Sequence, residues 1–255
     1  MSKILIGPAG TGGSSLEGFK EIKKAGLDAV EVEFTYSVWM KKEQAEKIKE
    51  LNKELSLQLS IHAPYFINLA SLERSKVHAS KSRILKCCEI GYYLGVKYIV
   101  FHCGFYQKKD PEEIYQLIKK EIIDIKKTIK EKKWEVILAP ETTGKASQFG
   151  SLDELIKLKK ETGCHLTVDF SHLKARNNGN IDYDEVMKKL KPLGHIHAHF
   201  SGIEWTEKGE RRHLLTEIKD IKELLSYLKK YDIDITIINE SPDPFGDAVK
   251  MKKLI

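Results

Sequence analysis

WEVILAPETTG, Trp134 to Gly144, is the stretch on which the reading of the fold turns. Val136, Ile137 and Leu138 form an apolar run, two of the three β-branched, that reads as a buried strand, and Pro140 marks its end. At that end stands a carboxylate, Glu141, followed by two threonines and a glycine. A charge at the end of a buried strand is costly unless something pairs with it. Taken alone, Glu141 reads as a surface carboxylate. Its neighbours in the chain change that reading, because other buried-looking strands end in the same way.

Working outward, strand and helix alternate about eight times. Ile4 to Gly7 begins the first unit, and Gly10, Gly12 and Gly13 turn the chain into a helix capped by Ser14 or Ser15. This turn lacks the Gly-Lys-Ser/Thr of a P-loop and does not fit the dinucleotide fingerprint, so no nucleotide cofactor is expected. AVEVEF (29 to 34) is the second strand, and LQLSIH, ending at His62, is the third. An amphipathic segment from Ser71 to Leu94 follows, with Gly95 as its stop, and KYIVFH ends at His102. A helix over Pro111 to Lys130 precedes the Glu141 strand. Another, from Leu152, precedes HLTVDF, which ends near Asp169. GHIHAHF (194 to 200) and DIDITIINE (232 to 240) are the seventh and eighth strands, with a short final helix behind them. Helical patterns between strands imply parallel pairing and right-handed crossovers. No Pro/Gly/Ser linker divides the chain, so residues 1–255 read as one domain, a (β/α)8 TIM barrel of class α/β. A doubly wound open sheet is the runner-up.

Composition sets the class. Of 255 residues, 41% are hydrophobic and 31% charged, enough for a sizeable core under solvated helix faces. The formal charge of +6 (43 Lys+Arg against 37 Asp+Glu) permits nucleic-acid binding without demanding it. Most lysines lie in helical runs such as KIKELNK; the basic residues of interest are Lys108, Lys109, Lys174, Arg176, Lys208, Arg211 and Arg212, read as loop positions. No apolar run approaches membrane-spanning length, and the amino terminus starts a strand rather than a signal peptide. Cys87, Cys88, Cys103 and Cys164 show no CxxC pairing, so reduced thiols in a cytoplasmic protein are expected. Cys103 reads as a packed thiol beside His102 rather than a nucleophile.

His62, His102, Glu141, Asp169, His197 and Glu240 all fall at or near the carboxyl ends of strands three to eight, with His172 three residues beyond Asp169. Those ends are where TIM-barrel sites are built. Each residue has an innocent reading as a hydrogen bonder or helix cap, but the coincidence on six consecutive strands points to metal. Mixed nitrogen and oxygen ligation suits zinc, manganese or iron better than calcium or magnesium. More than one ion fits such a set, and paired ions suit phosphate-ester hydrolysis without a protein nucleophile. The absence of a G-x-S-x-G elbow agrees.

HAPYFINLA (62 to 70), VFHCG (100 to 104), Glu141-Thr142-Thr143, DFSH (169 to 172), IHAHFS (196 to 201) and ESPDP (240 to 244) follow the order and approximate spacing of endonuclease IV, and the chain resembles that family over nearly its whole length. The family comprises apurinic/apyrimidinic endonucleases in the xylose-isomerase-like group of TIM barrels. The resemblance implies a zinc-dependent enzyme that cuts double-stranded DNA 5′ to an abasic site, leaving a 3′-hydroxyl. By the same resemblance, His62 and His102 hold the first metal, and Glu141 bridges it to the second. Asp169, His197 and Glu240 complete that second site, and His172 holds a third ion. A metal-activated hydroxide then attacks the phosphorus, with Glu141 and Glu240 as the catalytic carboxylates. Tyr65 and Phe66 match a loop used near the opened DNA, with packing under the rim as the alternative. Of the alternating His195, His197 and His199, the motif selects His197 as ligand and leaves His199 beside it and His195 structural. A monomer is expected.

Two departures stand out. The family's third metal also takes an Asp-x-His pair, and here the loop reads KGERRHLL: His213 matches the histidine, but Arg211 occupies the aspartate's place. Glu210 substitutes if the loop shifts by one residue; otherwise two metals remain. In the loop FTYSVWM (34 to 40) the family carries an arginine that enters DNA; here Tyr36 and Trp39 either stack on DNA or pack. With these, Arg176 and Arg211 complete the DNA-binding candidates. The competing enzyme reading is a sugar isomerase or ketose epimerase of the same barrel group, with one metal on Glu141, Asp169, His197 and Glu240. Such an enzyme has no need of His62 and His102. A metal-stabilised barrel that only binds nucleic acid is the non-enzyme reading.

Overall fold

The computed structural model describes residues 2–10 and 16–255; Gly12, Gly13 and the caps Ser14 and Ser15 lie outside them. In chain order the elements are β1 (Ile4–Pro8), α1 (Leu16–Lys24), β2 (Ala29–Glu33), α2 (Lys42–Leu55), β3 (Gln58–His62), α3 (Arg74–Leu94), β4 (Tyr98–Phe101) and α4 (Pro111–Glu131). Then come β5 (Ile137–Pro140), α5 (Leu152–Thr162), β6 (Thr167–Asp169), α6 (Phe170–Arg176) and α7 (Tyr183–Leu190). The chain ends with β7 (Ile196–Phe200), β8 (Gly202–Thr206), β9 (Gly209–Leu214), α8 (Ile218–Tyr231), β10 (Ile235–Asn239) and α9 (Pro244–Lys252). All eight strands read from the sequence are present, with bounds that differ by at most three residues. The additional β8–β9 hairpin occupies what read as a loop.

The chain divides into two compact units, Val32–Leu166 and Met1–Glu31 with Thr167–Ile255. In the first, the sheet runs in the order β2-β3-β4-β5, and β3, β4 and β5 pair in parallel. Its helices carry the local signals that long crossovers need. Asp110 caps α4 by accepting from the Glu112 and Glu113 N–H groups, with Pro111 behind it. Ser151 and Glu154 form a capping box on α5. Gly95, at φ 77°, closes α3 in the left-handed conformation, as its position in the sequence predicts. Along α4, Ile114, Ile118, Ile122, Ile125 and Ile129 recur on one helical face and are buried, each contributing about 2 kcal/mol of apolar burial. One strand residue departs from expectation. Ile137, read as buried, opens β5 at 39% exposure, because side chains alternate there and it points outward between buried Val136 and Leu138.

The second unit carries a four-stranded parallel sheet in the order β1-β10-β7-β6. Its register decides the chemistry: Thr167 lies opposite His197, and Asp169 opposite His199. His172, Lys174 and Arg176, read as loop residues, belong to α6, because the Asp169 carboxylate accepts the His172 N–H (2.8 Å) and starts the helix at once. Behind the sheet, Asp247 on α9 accepts from the Thr216 N–H (2.6 Å) and from Lys250.

The hairpin is antiparallel, with a register shift at Glu204/Trp205. Glu204 faces Arg212 and Trp205 faces Glu210, so Arg211 is the extra residue of a β-bulge. Side chains alternate along a regular strand, and one extra residue reverses that alternation. Glu210 and His213, three apart, can therefore face the same way.

Candidate metal centre

In the Val32–Leu166 unit, His62 ends β3, while His102 and Glu141 each follow directly on a strand, β4 and β5 respectively. Both Nε2 atoms converge on one oxygen, Glu141 Oε2, at 3.0 Å from His62 and 2.9 Å from His102. The carboxylate is buried. His62 Nδ1 lies 2.8 Å from the Ala63 carbonyl oxygen. A carbonyl only accepts, so Nδ1 carries a proton, and the ring in its neutral form presents a bare Nε2. A lone pair facing a carboxylate oxygen at hydrogen-bond distance is repulsive unless a cation sits between them. A second imidazole on the same oxygen makes a divalent metal the group that fits. The thiol next door plays no part in this: burial pushes Cys103 well above its ordinary pKa.

Aromatic side chains stand beside this cluster. Tyr65 is 60% exposed with its ring 6.0 Å from that of His62, and Phe66 is 58% exposed with the Arg83 guanidinium on its carbonyl. Tyr36 is 74% exposed, with its ring 6.2 Å from Phe66. Trp39 behaves differently. It sets its edge on buried Phe34 at 5.4 Å and donates Nε1–H to the Glu33 carbonyl, so the loop divides into a packed half and an exposed tip at Tyr36.

In the other unit, Asp169, His199 and Glu240 offer ligand atoms within 4.8 Å of one another, and His199 Nδ1 lies 3.2 Å from Glu240 Oε1. His197, which the motif selected for this group, is only the second residue of β7, one step further from its carboxyl end. Its Nε2 meets Glu31 Oε2 at 2.9 Å instead. His195, deeper still, bonds Thr236 Oγ1 at 2.9 Å. The strand register thus puts His199, not His197, level with Asp169.

Glu31 escaped the sequence reading. It is fully buried on β2, with His197 on one oxygen and His199 Nε2 2.8 Å from the other. Burial works to raise its pKa, but the two imidazoles outweigh that and hold the carboxyl far below the usual range. The signal was there: a charge inside AVEVEF raises the same cost question as Glu141.

A third group lies along the hairpin. Asp169, His172 and His213 present ligand atoms within 4.8 Å, and Glu210 Oε2 is 3.4 Å from His172 Nε2. The Ser201 hydroxyl donates to the Gly202 carbonyl (2.8 Å), so toward His213 Nδ1 at 2.6 Å it accepts, leaving His213 Nε2 as a lone pair. Arg211 and Arg212 both reach across to Glu204 (2.6 and 2.5 Å) and stay in solvent. Imidazole and carboxylate donors, buried or half-buried and convergent, fit zinc, manganese or iron. Among the described residues, no helix is long and apolar enough to cross a membrane.

An uncharacterized protein of Methanocaldococcus jannaschii is 38% identical over 98% of this chain and 96% of its own length. A probable endonuclease 4 of Metamycoplasma arthritidis is 28% identical over 74% of each chain. Among solved structures, a D-tagatose 3-epimerase-like protein matches with a TM-score of 0.73 at 21% identity, covering 100% of this chain and 95% of its own. Endonuclease IV from Thermus thermophilus matches at 0.72 and 18%, covering 99% and 98%. At such identities the structural likeness shows the fold alone. The family model described as xylose isomerase-like TIM barrel matches residues 19–253, and the chain belongs to that family.

Proposed function

We propose that this protein is a metal-dependent endonuclease that hydrolyses the phosphodiester 5′ to an abasic site in double-stranded DNA. The observation that carries the reading is the convergence of His62 and His102 on Glu141. A one-metal ketose epimerase has no use for that pair. The endonuclease 4 relative and the motif HAPYFINLA support the same choice.

In this reading His62, His102 and Glu141 hold one ion. Asp169, His199 and Glu240 hold a second, with His199 in the place first given to His197. His172, His213 and Glu210 hold a third, Glu210 standing where the family pattern has an aspartate. Zinc is the assigned metal, with manganese or iron in the same donor class; bound there, it supplies Lewis acidity and positive charge for attack on a phosphate. The chain's own part is to hold and orient. Ala63 fixes the proton on His62 Nδ1, and Ser201 fixes it on His213 Nδ1. Tyr36, Tyr65 and Phe66, exposed beside His62, offer faces for bases displaced where the duplex opens. Arg176 supplies positive charge for phosphates, whereas Trp39 packs and Arg211 pairs with Glu204. An abasic site is the cheapest place to deform a duplex, because no base pair is broken there. We take residues 1–255 as one domain, acting as a monomer without a nucleotide cofactor. Four buried cysteines, none in a disulfide, suit the cytoplasm.

The test compares two substrates. Metal-loaded wild type and the double variant His62→Ala/His102→Ala are incubated with an abasic duplex and with a panel of ketoses. Cleavage of the duplex by the wild type and its loss in the variant is the expected result. Ketose epimerisation that survives in the variant, with the duplex intact throughout, overturns the proposal.

A further inference from the structure

We propose that Glu31 is a positioning carboxylate that decides which nitrogen of His199 is available to a metal. This rests on the reading of Asp169, His199 and Glu240 as a metal site, and goes beyond it by assigning a role to a residue outside the ligand set. Glu31 is fully buried, and each of its oxygens meets one imidazole: Oε2 at 2.9 Å from His197 Nε2, Oε1 at 2.8 Å from His199 Nε2. The His197 contact is a hydrogen bond, and the His199 contact is a close approach of a ring nitrogen to the second carboxylate oxygen. Both ring nitrogens face a carboxylate, but Nε2 is the closer, 2.8 Å from fully buried Glu31 against 3.2 Å from the partly exposed Glu240 for Nδ1, so the proton of the neutral ring belongs on Nε2. The neutral ring then has its lone pair on Nδ1, and Nδ1 is the atom 3.2 Å from Glu240 Oε1 and within ligand range of Asp169.

The arrangement mirrors the one around His62, where the Ala63 carbonyl takes the proton on one side of the ring and bares the other. An ionised carboxylate does more than a carbonyl. It also raises the basicity of the ring, as carboxylate partners of metal-bound histidines do. His197 serves as the fastener, because its bond to Oε2 keeps the Glu31 carboxylate from turning away from His199.

Two measurements test this, and neither depends on activity. In metal-free wild type, 15N NMR of the imidazoles, with His199 assigned by its absence in His199→Gln, should show Nε2–H and a bare Nδ1. The opposite tautomer would overturn the proposal. Zinc titration should then show Glu31→Gln, which keeps volume but loses charge, binding about 10–100-fold more weakly at this site, with folding intact by circular dichroism. Unchanged affinity overturns the role. So does the loss of a full zinc equivalent in His197→Gln, because Glu31, His197 and His199 would then be ligands themselves. If Asp169→Asn and Glu240→Gln leave zinc content unaltered, it is the metal reading that fails, and the NMR result still stands or falls by itself.

Discussion

Inserting one alanine between Glu204 and Trp205, opposite Arg211, is the sharpest perturbation the hairpin allows. The bulge exists because Glu204 pairs with Arg212 while Trp205 pairs with Glu210, leaving Arg211 without a partner position. Giving it a partner makes the ladder regular, and strict alternation then sends Glu210 and His213, three apart, to opposite faces. Only one of them can still face His172, whose Nε2 now lies 3.4 Å from Glu210. Metal–ligand bonds of about 2 Å leave no room for a carboxylate on the far face. Loss of a direct ligand should exceed the 10–100-fold cost of losing a supporting partner, so affinity at this site should fall by at least about 100-fold, or ~2.8 kcal/mol. The control is Arg211→Ala, which keeps the bulge and removes only an exposed contact to Glu204, a group that Arg212 also holds. Its melting temperature should stay within about 2 °C of wild type. The assay is zinc content after dialysis against limiting metal, for wild type, Arg211→Ala and the insertion. One equivalent lost in the insertion alone is the expected outcome. Equal zinc content in all three proteins would refute the bulge as the device that recruits Glu210.

Glu141→Gln should lower cleavage of an abasic duplex by more than about 100-fold while the circular dichroism spectrum is preserved, since the amide fills the same buried volume but cannot carry the charge shared by His62 and His102. Full activity of the purified variant would remove Glu141 from the site. Tyr36→Ala and Phe66→Ala, both exposed, should each weaken abasic-duplex binding by about 10-fold with little change in thermal stability, as base stacking on aromatic faces predicts. Unchanged binding of both variants would leave the patch without a DNA role. Asp247 gives a pH signature. Burial works to raise its pKa, but Lys250 and the Thr216 N–H outweigh it and leave it lowered. A lowered folded pKa means the stabilisation is present above the unfolded value near ~4 and is lost as pH falls through the folded value. Melting curves from about pH 6 to pH 2.5 should therefore drop more steeply for wild type than for Asp247→Asn below about pH 4; parallel curves would contradict this.

Much of this was legible in the chain. Each parallel strand was visible as an apolar run closed by Pro, Gly or a charged residue, and His62, His102 and Glu141 could be placed because each sits where its strand stops. His199 was harder. Alternation puts His195, His197 and His199 on one face, and only the register against β6, in which Asp169 lies opposite His199, picks among them. Pairing between strands far apart in sequence leaves no local trace. Glu31 was hidden by its neighbours, since V-E-V-E reads as an ordinary half-exposed strand until histidines from β7 are brought against it. The hairpin was missed for a different reason: TEKGERRH offers turn chemistry but hardly an apolar residue to announce a strand. Its bulge nonetheless realises the one-residue shift that a substitute role for Glu210 requires.

Abasic-site endonuclease action is read from cleavage of an end-labelled duplex carrying one abasic-site analogue, run beside an undamaged duplex and a chelator-treated control. The expected result is a single chelator-sensitive cut immediately 5′ of the lesion, leaving a 3′-hydroxyl, with the undamaged duplex intact. An intact abasic duplex after incubation with protein shown to be folded and metal-loaded would contradict it.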